Sequence, residues 1–130
     1  GENYYPEDVE IAAQAARPGD VRPACLAAFS ADAADGAGDE ALVVVFEVRA
    51  ASDAEDVCRA VARAVAVDVG LAPERVVAIE ERSIPKTTSG KIQRRATKKL
   101  FAENRLRVVF DLVPDGGGGA DGGSGGGGAA

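Results

Sequence analysis

The feature that most constrains the fold is a stripe of apolar side chains at four-residue spacing: Val57, Val61, Val65 and Val69. An α-helix turns about every 3.6 residues, so this spacing places the four valines on one face and predicts an amphipathic helix. Ser52 and Glu55 match a capping box before the stripe, and Gly70 is typical of a helix end. Such a helix needs a second layer to cover its apolar face.

Three short apolar segments predict the strands of that second layer. They are residues 24–29, residues 75–79 and residues 41–48, of which the last contains the β-branched run Val43-Val44-Val45. Residues 31–40 are rich in Asp, Ala and Gly and predict an exposed hairpin loop between the first two strands.

Two more helices are expected at either end of this pattern. The first begins near Pro6 and ends at the Pro18-Gly19-Asp20 stop signal. The other is basic and runs from about Lys91 or Ile92 to Glu103. Residues 106–112 are a candidate for a last short strand.

This order of elements predicts an α+β fold, a small sandwich of a three-stranded sheet with helices. Residues 1–114 have the size of one domain. Residues 115–130 contain ten glycines and predict a disordered Gly-rich tail, which is either a flexible linker or a terminus. Because the chain begins with Gly, we expect a piece of a longer protein. Six aromatic residues and no Trp make it a poor candidate for a deep substrate pocket of its own.

Charge is distributed unevenly along the chain. Residues 1–70 carry a net charge of −9 and residues 71–112 a net charge of +5, in a chain whose total is −6. The second half is therefore a candidate anion-binding surface. The overall acidity and the lack of aromatic residues beside the basic ones argue against a nucleic-acid binder.

The cysteine and histidine content limits the chemistry further. The chain has no His, and Cys25 and Cys58 lie in apolar stretches. Zinc sites need about four Cys or His ligands, so no metal site is predicted. Two buried thiols are favoured over a disulfide. The sequence has no signal peptide and no long apolar run, so a cytoplasmic protein without a membrane partner is expected.

The segment with the most chemical information is residues 83–94, in which two lysines and several hydroxyl side chains are concentrated. Pro85 and Gly90 predict a tight, exposed loop before a helix. Lysine ammonium groups and the N–H groups of a helix start both favour a phosphate or carboxylate. On composition alone, a solvated basic loop is the alternative. A nucleotide P-loop is excluded, because Pro85 and Ile92 stand where that motif needs Gly and Ser or Thr.

Two strings resemble motifs of one enzyme family. Residues 84–92, Ile-Pro-Lys-Thr-Thr-Ser-Gly-Lys-Ile, closely resemble the final core motif of the adenylate-forming superfamily, which includes acyl-CoA synthetases, peptide-synthetase adenylation domains and luciferases. Residues 1–10 resemble the motif that follows the hinge of that superfamily. Both strings occur in the family's order, and together they cover its C-terminal lid domain. The features that look most like fatty acyl-AMP ligases are Asn3, Tyr5-Pro6, Asp8-Val9-Glu10 and Gln93-Arg94.

The resemblance implies that Lys91 is catalytic. In the family, a carboxylate attacks the α-phosphate of ATP, and the lysine presented by the lid stabilises both anions. The resemblance also implies an ATP-site role for the loop residues Lys86, Thr87, Thr88, Ser89 and Gly90. ATP, with Mg²⁺, would be bound mainly by an N-terminal adenylation domain absent from this sequence, so the isolated chain is expected to be inactive.

The resemblance implies an acceptor site as well. After adenylation the family's lid rotates, and the first motif then lines the channel for the acceptor thiol. The matching residues are Gly1, Asn3, Tyr5 and Pro6. In fatty acyl-AMP ligases, which serve lipid metabolism and polyketide biosynthesis, the acceptor is the phosphopantetheine of an acyl carrier protein or polyketide synthase. Either docking of such an acidic carrier or a merely solvated face would explain the basic residues Arg94, Arg95, Lys98 and Lys99.

Two other functions stay open on the sequence. The same domain in an acyl-CoA synthetase would serve transfer to free CoA, and a nonenzymatic interaction module could retain the fold.

Overall fold

The computed structural model describes residues 4–32 and 40–114, and it confirms the α+β class. The elements in chain order are α1 (Pro6–Ala16), β1 (Val21–Asp32), β2 (Glu40–Val48), α2 (Ala54–Asp68), β3 (Arg75–Ile79), α3 (Arg94–Ala102) and β4 (Val108–Leu112). Most of the predicted hairpin loop and the whole Gly-rich tail lie outside the described residues.

Within residues 4–32 and 40–114 the sheet contains four strands in the order β1-β2-β3-β4, which corrects the prediction of three. The β1–β2 and β3–β4 pairs are antiparallel, and β2 and β3 are parallel because α2 crosses over between them. The fourth strand gave only a weak signal in the sequence, since it lies at the sheet edge. Its first two residues, Val108 and Val109, are about half exposed, at 47% and 50%.

The two faces of the sheet carry separate apolar clusters. On one face, α1 and α2 pack against even-numbered residues of β2 such as Val44 and Phe46, and three valines of the predicted stripe, Val57, Val61 and Val65, are fully buried there. On the other face, α3 and the segment before it cover odd-numbered residues such as Val43 and Val45. This alternation follows from the two-residue period of a strand, and it makes the domain a three-layer sandwich.

The start of α2 differs by one residue from the predicted capping box. Asp53 is the N-cap, and its side chain accepts a hydrogen bond from the N–H of Asp56 at 3.2 Å. Ser52 instead donates to Asp20 at 2.6 Å and so ties the start of α2 to the turn before β1. Gly70 follows the helix with a φ of +85°, as the stop signal predicted.

Both cysteines are buried free thiols, as predicted. Burial among apolar side chains raises the pKa of the Cys58 thiol to about 12, so this thiol stays protonated at neutral pH. Of the helices described, none has the length and apolarity needed to cross a membrane.

Candidate active site at the lysine hairpin

Residues 85–93 form a small β-hairpin, which we call the lysine hairpin. The N–H of Thr87 donates to the carbonyl of Lys91 at 2.8 Å, and the N–H of Gly90 donates to the carbonyl of Thr87 at 2.9 Å. Gly90 has a φ of +88°, a conformation that side chains disfavour. This pattern matches the three-residue hairpin loop that needs Gly in the left-handed region. The sequence prediction of a tight loop fixed by Gly90 is confirmed.

Lys91 follows directly after this glycine and is exposed. Its ammonium group forms no ion pair with any residue among 4–32 and 40–114. The predicted helix start is corrected, because Gln93 is the N-cap and α3 begins at Arg94. Lys91 therefore lies on the hairpin, outside the helix, with its charge directed to solvent.

Hydroxyl groups of the hairpin hold its turn together. The Thr87 Oγ1 accepts a hydrogen bond from the N–H of Lys91 at 3.1 Å and lies 3.0 Å from the Ser89 Oγ. Thr88 is exposed at the tip. Thr87 and Ser89 thus shape the turn that precedes Lys91, while any contact of these hydroxyls with ATP stays a prediction.

Lys86 is directed differently from Lys91. Its Nζ donates to the Sγ of the buried Cys25 at 3.1 Å, and its backbone pairs with Ile92 across the hairpin. A phosphate contact by Lys86 would require the ammonium group to leave the thiol. The two lysines of the predicted ATP-binding segment are therefore not equivalent, because the Lys91 ammonium group makes no such contact with the residues that the structure describes.

A buried carboxylate that the sequence analysis missed lies where the chain enters the hairpin. Glu47 on β2 is only 1% exposed. It accepts a hydrogen bond from the N–H of Ile84 at 2.9 Å and forms an ion pair with Arg22 at 2.7 Å. Burial by itself would raise the pKa of Glu47, but the N–H groups of Ile84 and Arg82 and the Arg22 guanidinium outweigh it, and the net shift is downward.

A second carboxylate lies where the chain leaves the hairpin. Glu10 of α1 receives two hydrogen bonds from the Arg94 guanidinium, at 2.6 and 2.8 Å, and a third from the N–H of Ala28 at 2.9 Å. This contact joins α1 to the start of α3 across 84 residues of the chain. It also separates Arg94 from the other predicted docking residues, because its guanidinium already has a partner within the domain.

The remaining basic residues of α3 form an exposed face. Arg95, Lys98 and Lys99 are all exposed, and each lies within two turns of the hairpin along the chain. Together with Lys91 they extend a positive surface from the hairpin along α3, on a chain that is acidic overall. A docking role for this surface stays a prediction.

The predicted acceptor residues are only partly described. Gly1 and Asn3 lie outside the described residues. Tyr5 is 76% exposed at the start of α1, and Pro6 is the first residue of that helix. Tyr5 borders a shallow groove that also involves Ile11 and Val69. The α1 core belongs to one face of the sheet and the hairpin packs on the other, while the Glu10–Arg94 pair joins the end of the first motif to the start of α3.

No cluster of Asp, Glu or Cys able to hold a metal ion occurs within the described ranges. The left-handed Gly90 and the backbone pairing around Thr87 place an exposed cation, Lys91, beside the turn of the hairpin, and such a group is suited to bind an anion.

Replacing Gly90 by alanine should loosen the hairpin. The backbone φ of +88° disfavours a side chain by about 1–2 kcal/mol, although the space around Gly90 is open. We expect the N–H of Thr87, which closes the turn, to exchange its hydrogen about tenfold faster in Gly90→Ala. Asn tolerates this region better, so Gly90→Asn is the matched control and should change the rate less. Equal exchange in the wild type and Gly90→Ala would show that the turn does not depend on this glycine.

Comparison with known proteins agrees with the geometry. No protein-family model matches the sequence. The chain is 36% identical over 110 residues to JamA, a medium-chain-fatty-acid–[acyl-carrier-protein] ligase of Moorena producens, covering 82% of this chain and 18% of that protein. It is 40% identical over 97 residues to Rv1013, named as a ligase, of Mycobacterium tuberculosis, covering 72% and 17%.

A solved structure shows the same fold. The adenylation and carrier-protein portion of McyG, complexed with phenylalanyl-adenylate, superimposes with a TM-score of 0.69 and is 26% identical, covering 79% of this chain and 18% of that one. The chain therefore spans less than a fifth of the length of these relatives.

Fold, hairpin and relatives together identify the chain as a C-terminal domain of the adenylate-forming enzyme family. Within that family its sequence relatives include fatty-acid ligases, as the residues around Pro6 and Lys91 predicted.

Proposed function

We propose that the chain, as residues 1–114 with a linker or tail at 115–130, is the catalytic lid of an ATP-dependent fatty acyl-AMP ligase and that Lys91 is its catalytic residue. The observation that carries the proposal is the exposed Lys91 ammonium, presented by the hairpin and without an ion pair among the described residues. The relative JamA, a fatty-acid ligase, supports the substrate class.

The chemistry follows from charge. A fatty-acid carboxylate must approach the α-phosphate of ATP, and negative charge accumulates between the two as pyrophosphate leaves. A lysine ammonium is a compact positive charge with three N–H donors, so the Lys91 ammonium can bind oxygens of both reactants. Its contribution is electrostatic stabilisation and alignment, and it forms no covalent bond.

ATP and its Mg²⁺ would be bound mainly by an N-terminal adenylation domain of the same enzyme. The groove at Tyr5 is shallow. The positive charge of the lysine hairpin can instead complete an ATP site that the N-terminal domain forms. On its own the 130-residue chain should neither bind ATP tightly nor turn over substrate, and calorimetry with ATP tests this directly.

The proposed acceptor is the phosphopantetheine thiol of an acyl carrier protein. JamA is named for transfer to such a protein, and the McyG structure contains a carrier domain. Gly1, Asn3, Tyr5 and Pro6 would line the thiol channel after the lid has rotated. Carrier proteins of this kind are acidic, so the exposed cations Arg95, Lys98 and Lys99 would steer the encounter.

The test compares acceptors in the full-length enzyme that contains this domain. With ATP and a medium- or long-chain fatty acid, we expect acylation of a phosphopantetheinylated carrier protein to be at least about tenfold faster than release of acyl-CoA. The double variant Lys98→Glu/Lys99→Glu should raise the KM for the carrier through charge repulsion and leave pyrophosphate release unchanged.

The control for the charge reversal is Arg63→Glu, an exposed cation on α2, on the other side of the sheet. It should not alter the KM for the carrier. Faster release of acyl-CoA would instead assign the domain to an acyl-CoA synthetase, and no adenylation with any fatty acid would favour an interaction module.

A further inference from the structure

We propose that Glu47 and Glu10 are positioning residues that hold the two ends of the lysine hairpin and thereby fix where Lys91 points. The inference rests on the proposed function, since it concerns how the catalytic lysine is delivered. Neither carboxylate belongs to residues 84–92, and neither is expected to touch ATP or the fatty acid.

At the entrance of the hairpin, Glu47 fixes Ile84, the residue just before Pro85. The carboxylate lies on the central strand β2, which is paired on both sides. One oxygen accepts from the N–H of Ile84 at 2.9 Å, and the other pairs with Arg22 at 2.7 Å. Ile84 itself is 6% exposed. Charge-assisted hydrogen bonds of this kind are about twice as strong as neutral ones, so the entrance is tied firmly to a strand that is paired on both sides.

At the exit, Arg94 is fixed only three residues after Lys91. Both of its hydrogen bonds go to the Glu10 carboxylate, whose side chain is 14% exposed and is also held by the N–H of Ala28 on β1. A planar guanidinium that binds a carboxylate through two parallel bonds restricts direction as well as distance. The first turn of α3 is thereby tied to α1 and β1.

Between these two anchors the hairpin is held by its own turn, by the Lys86–Cys25 contact and by Ile92, which packs against the apolar cluster on that face of the sheet. The paired backbone of Lys86 and Ile92 and the Thr87–Lys91 hydrogen bond make it stiff internally. The charge-assisted bonds of Glu47 and Glu10 add directional contacts where the chain enters and leaves the hairpin. A reacting group displaced by about 1 Å can lose up to about 100-fold in rate, so the two carboxylates act on catalysis through geometry.

The experiment separates the two half-reactions in the full-length enzyme. Adenylation is measured as pyrophosphate release, and transfer is started from synthetic acyl-AMP. For Glu47→Gln, and separately for Arg94→Lys, we expect kcat of adenylation to fall about tenfold. We expect the KM for ATP and the transfer rate to stay within about twofold, because the lysine is withdrawn in the second half-reaction. Glu55→Gln, in an exposed pair with Arg59 on α2, is the matched control and should change neither rate.

Hydrogen exchange on the 130-residue chain gives an independent measurement. We expect the N–H of Gln93, bonded to the Pro85 carbonyl at 3.0 Å, to exchange about tenfold faster in both variants. Unchanged exchange together with unchanged adenylation would overturn the inference, as would a parallel fall of both half-reactions. Arg94→Lys decides the matter if Glu47→Gln does not fold. Failure of the proposed function gives a different result from failure of this inference. Lys91→Ala would then leave the rate of adenylation unchanged, regardless of the results for Glu47→Gln and Arg94→Lys.

Discussion

Replacing Lys91 by alanine should lower the rate of acyl-AMP formation by the full-length enzyme about 100- to 1,000-fold. This is the range found when a single preorganised group that stabilises developing negative charge is removed. The side chain is exposed and has no ion pair among the described residues, so its loss should leave the free energy of unfolding within about 0.5 kcal/mol of the wild type. Pyrophosphate release under single-turnover conditions measures the rate, and urea denaturation measures the stability.

Two variants sharpen this result. Lys91→Arg keeps the charge but spreads it over a larger, planar group, so it should recover only part of the lost rate. Arg63→Ala removes an exposed cation from α2 and should leave adenylation unchanged, which excludes a general effect of net charge. If Lys91→Ala forms acyl-AMP as fast as the wild type, the lysine is not catalytic and the proposed function loses its main support.

Features that depend on local periodicity were predictable from the sequence. The valine stripe from Val57 to Val69 predicted α2 because helical spacing places its residues on one face, whatever they pack against. Gly90 predicted the turn of the hairpin, because the left-handed conformation strongly selects for glycine. The resemblance around Lys91 pointed to an enzyme family that the relatives then confirmed.

Features that depend on distant contacts were not predictable in this way. Glu47 follows Phe46 in a strand, and from the sequence alone a charged residue in a strand is equally consistent with a solvent-facing position. Its burial depends on Arg22 and Ile84, which lie 25 and 37 residues away. Arg94 and Glu10 are separated by 84 residues, so their pairing has no local signal. The strand β4 was uncertain for a related reason, since an edge strand is only half buried.

Replacing Glu47 by alanine should destabilise the domain by about 3 kcal/mol. The change leaves the N–H of Ile84 without its acceptor and the Arg22 guanidinium without a buried counter-charge, and each loss costs about 1–3 kcal/mol. Urea denaturation of the 130-residue chain measures the difference. Glu55→Ala, in an exposed pair with Arg59, is the control and should cost less than about 1 kcal/mol. A loss below 1 kcal/mol for Glu47→Ala would mean that the buried contacts contribute little.

The pH dependence of stability gives a second measurement on the same carboxylate. The backbone N–H groups and Arg22 hold the pKa of Glu47 in the folded state below its value in the unfolded chain, which is about 4.3. The stabilisation is therefore complete above that unfolded pKa and is lost as the pH falls from it through the lower folded pKa. Glu47→Gln cannot titrate at this position, so the difference in free energy of unfolding between the wild type and Glu47→Gln should shrink as the pH falls below about 5. If that difference stays constant over this range, protonation of Glu47 does not destabilise the fold, and the contacts at the entrance of the lysine hairpin do not depend on its charge.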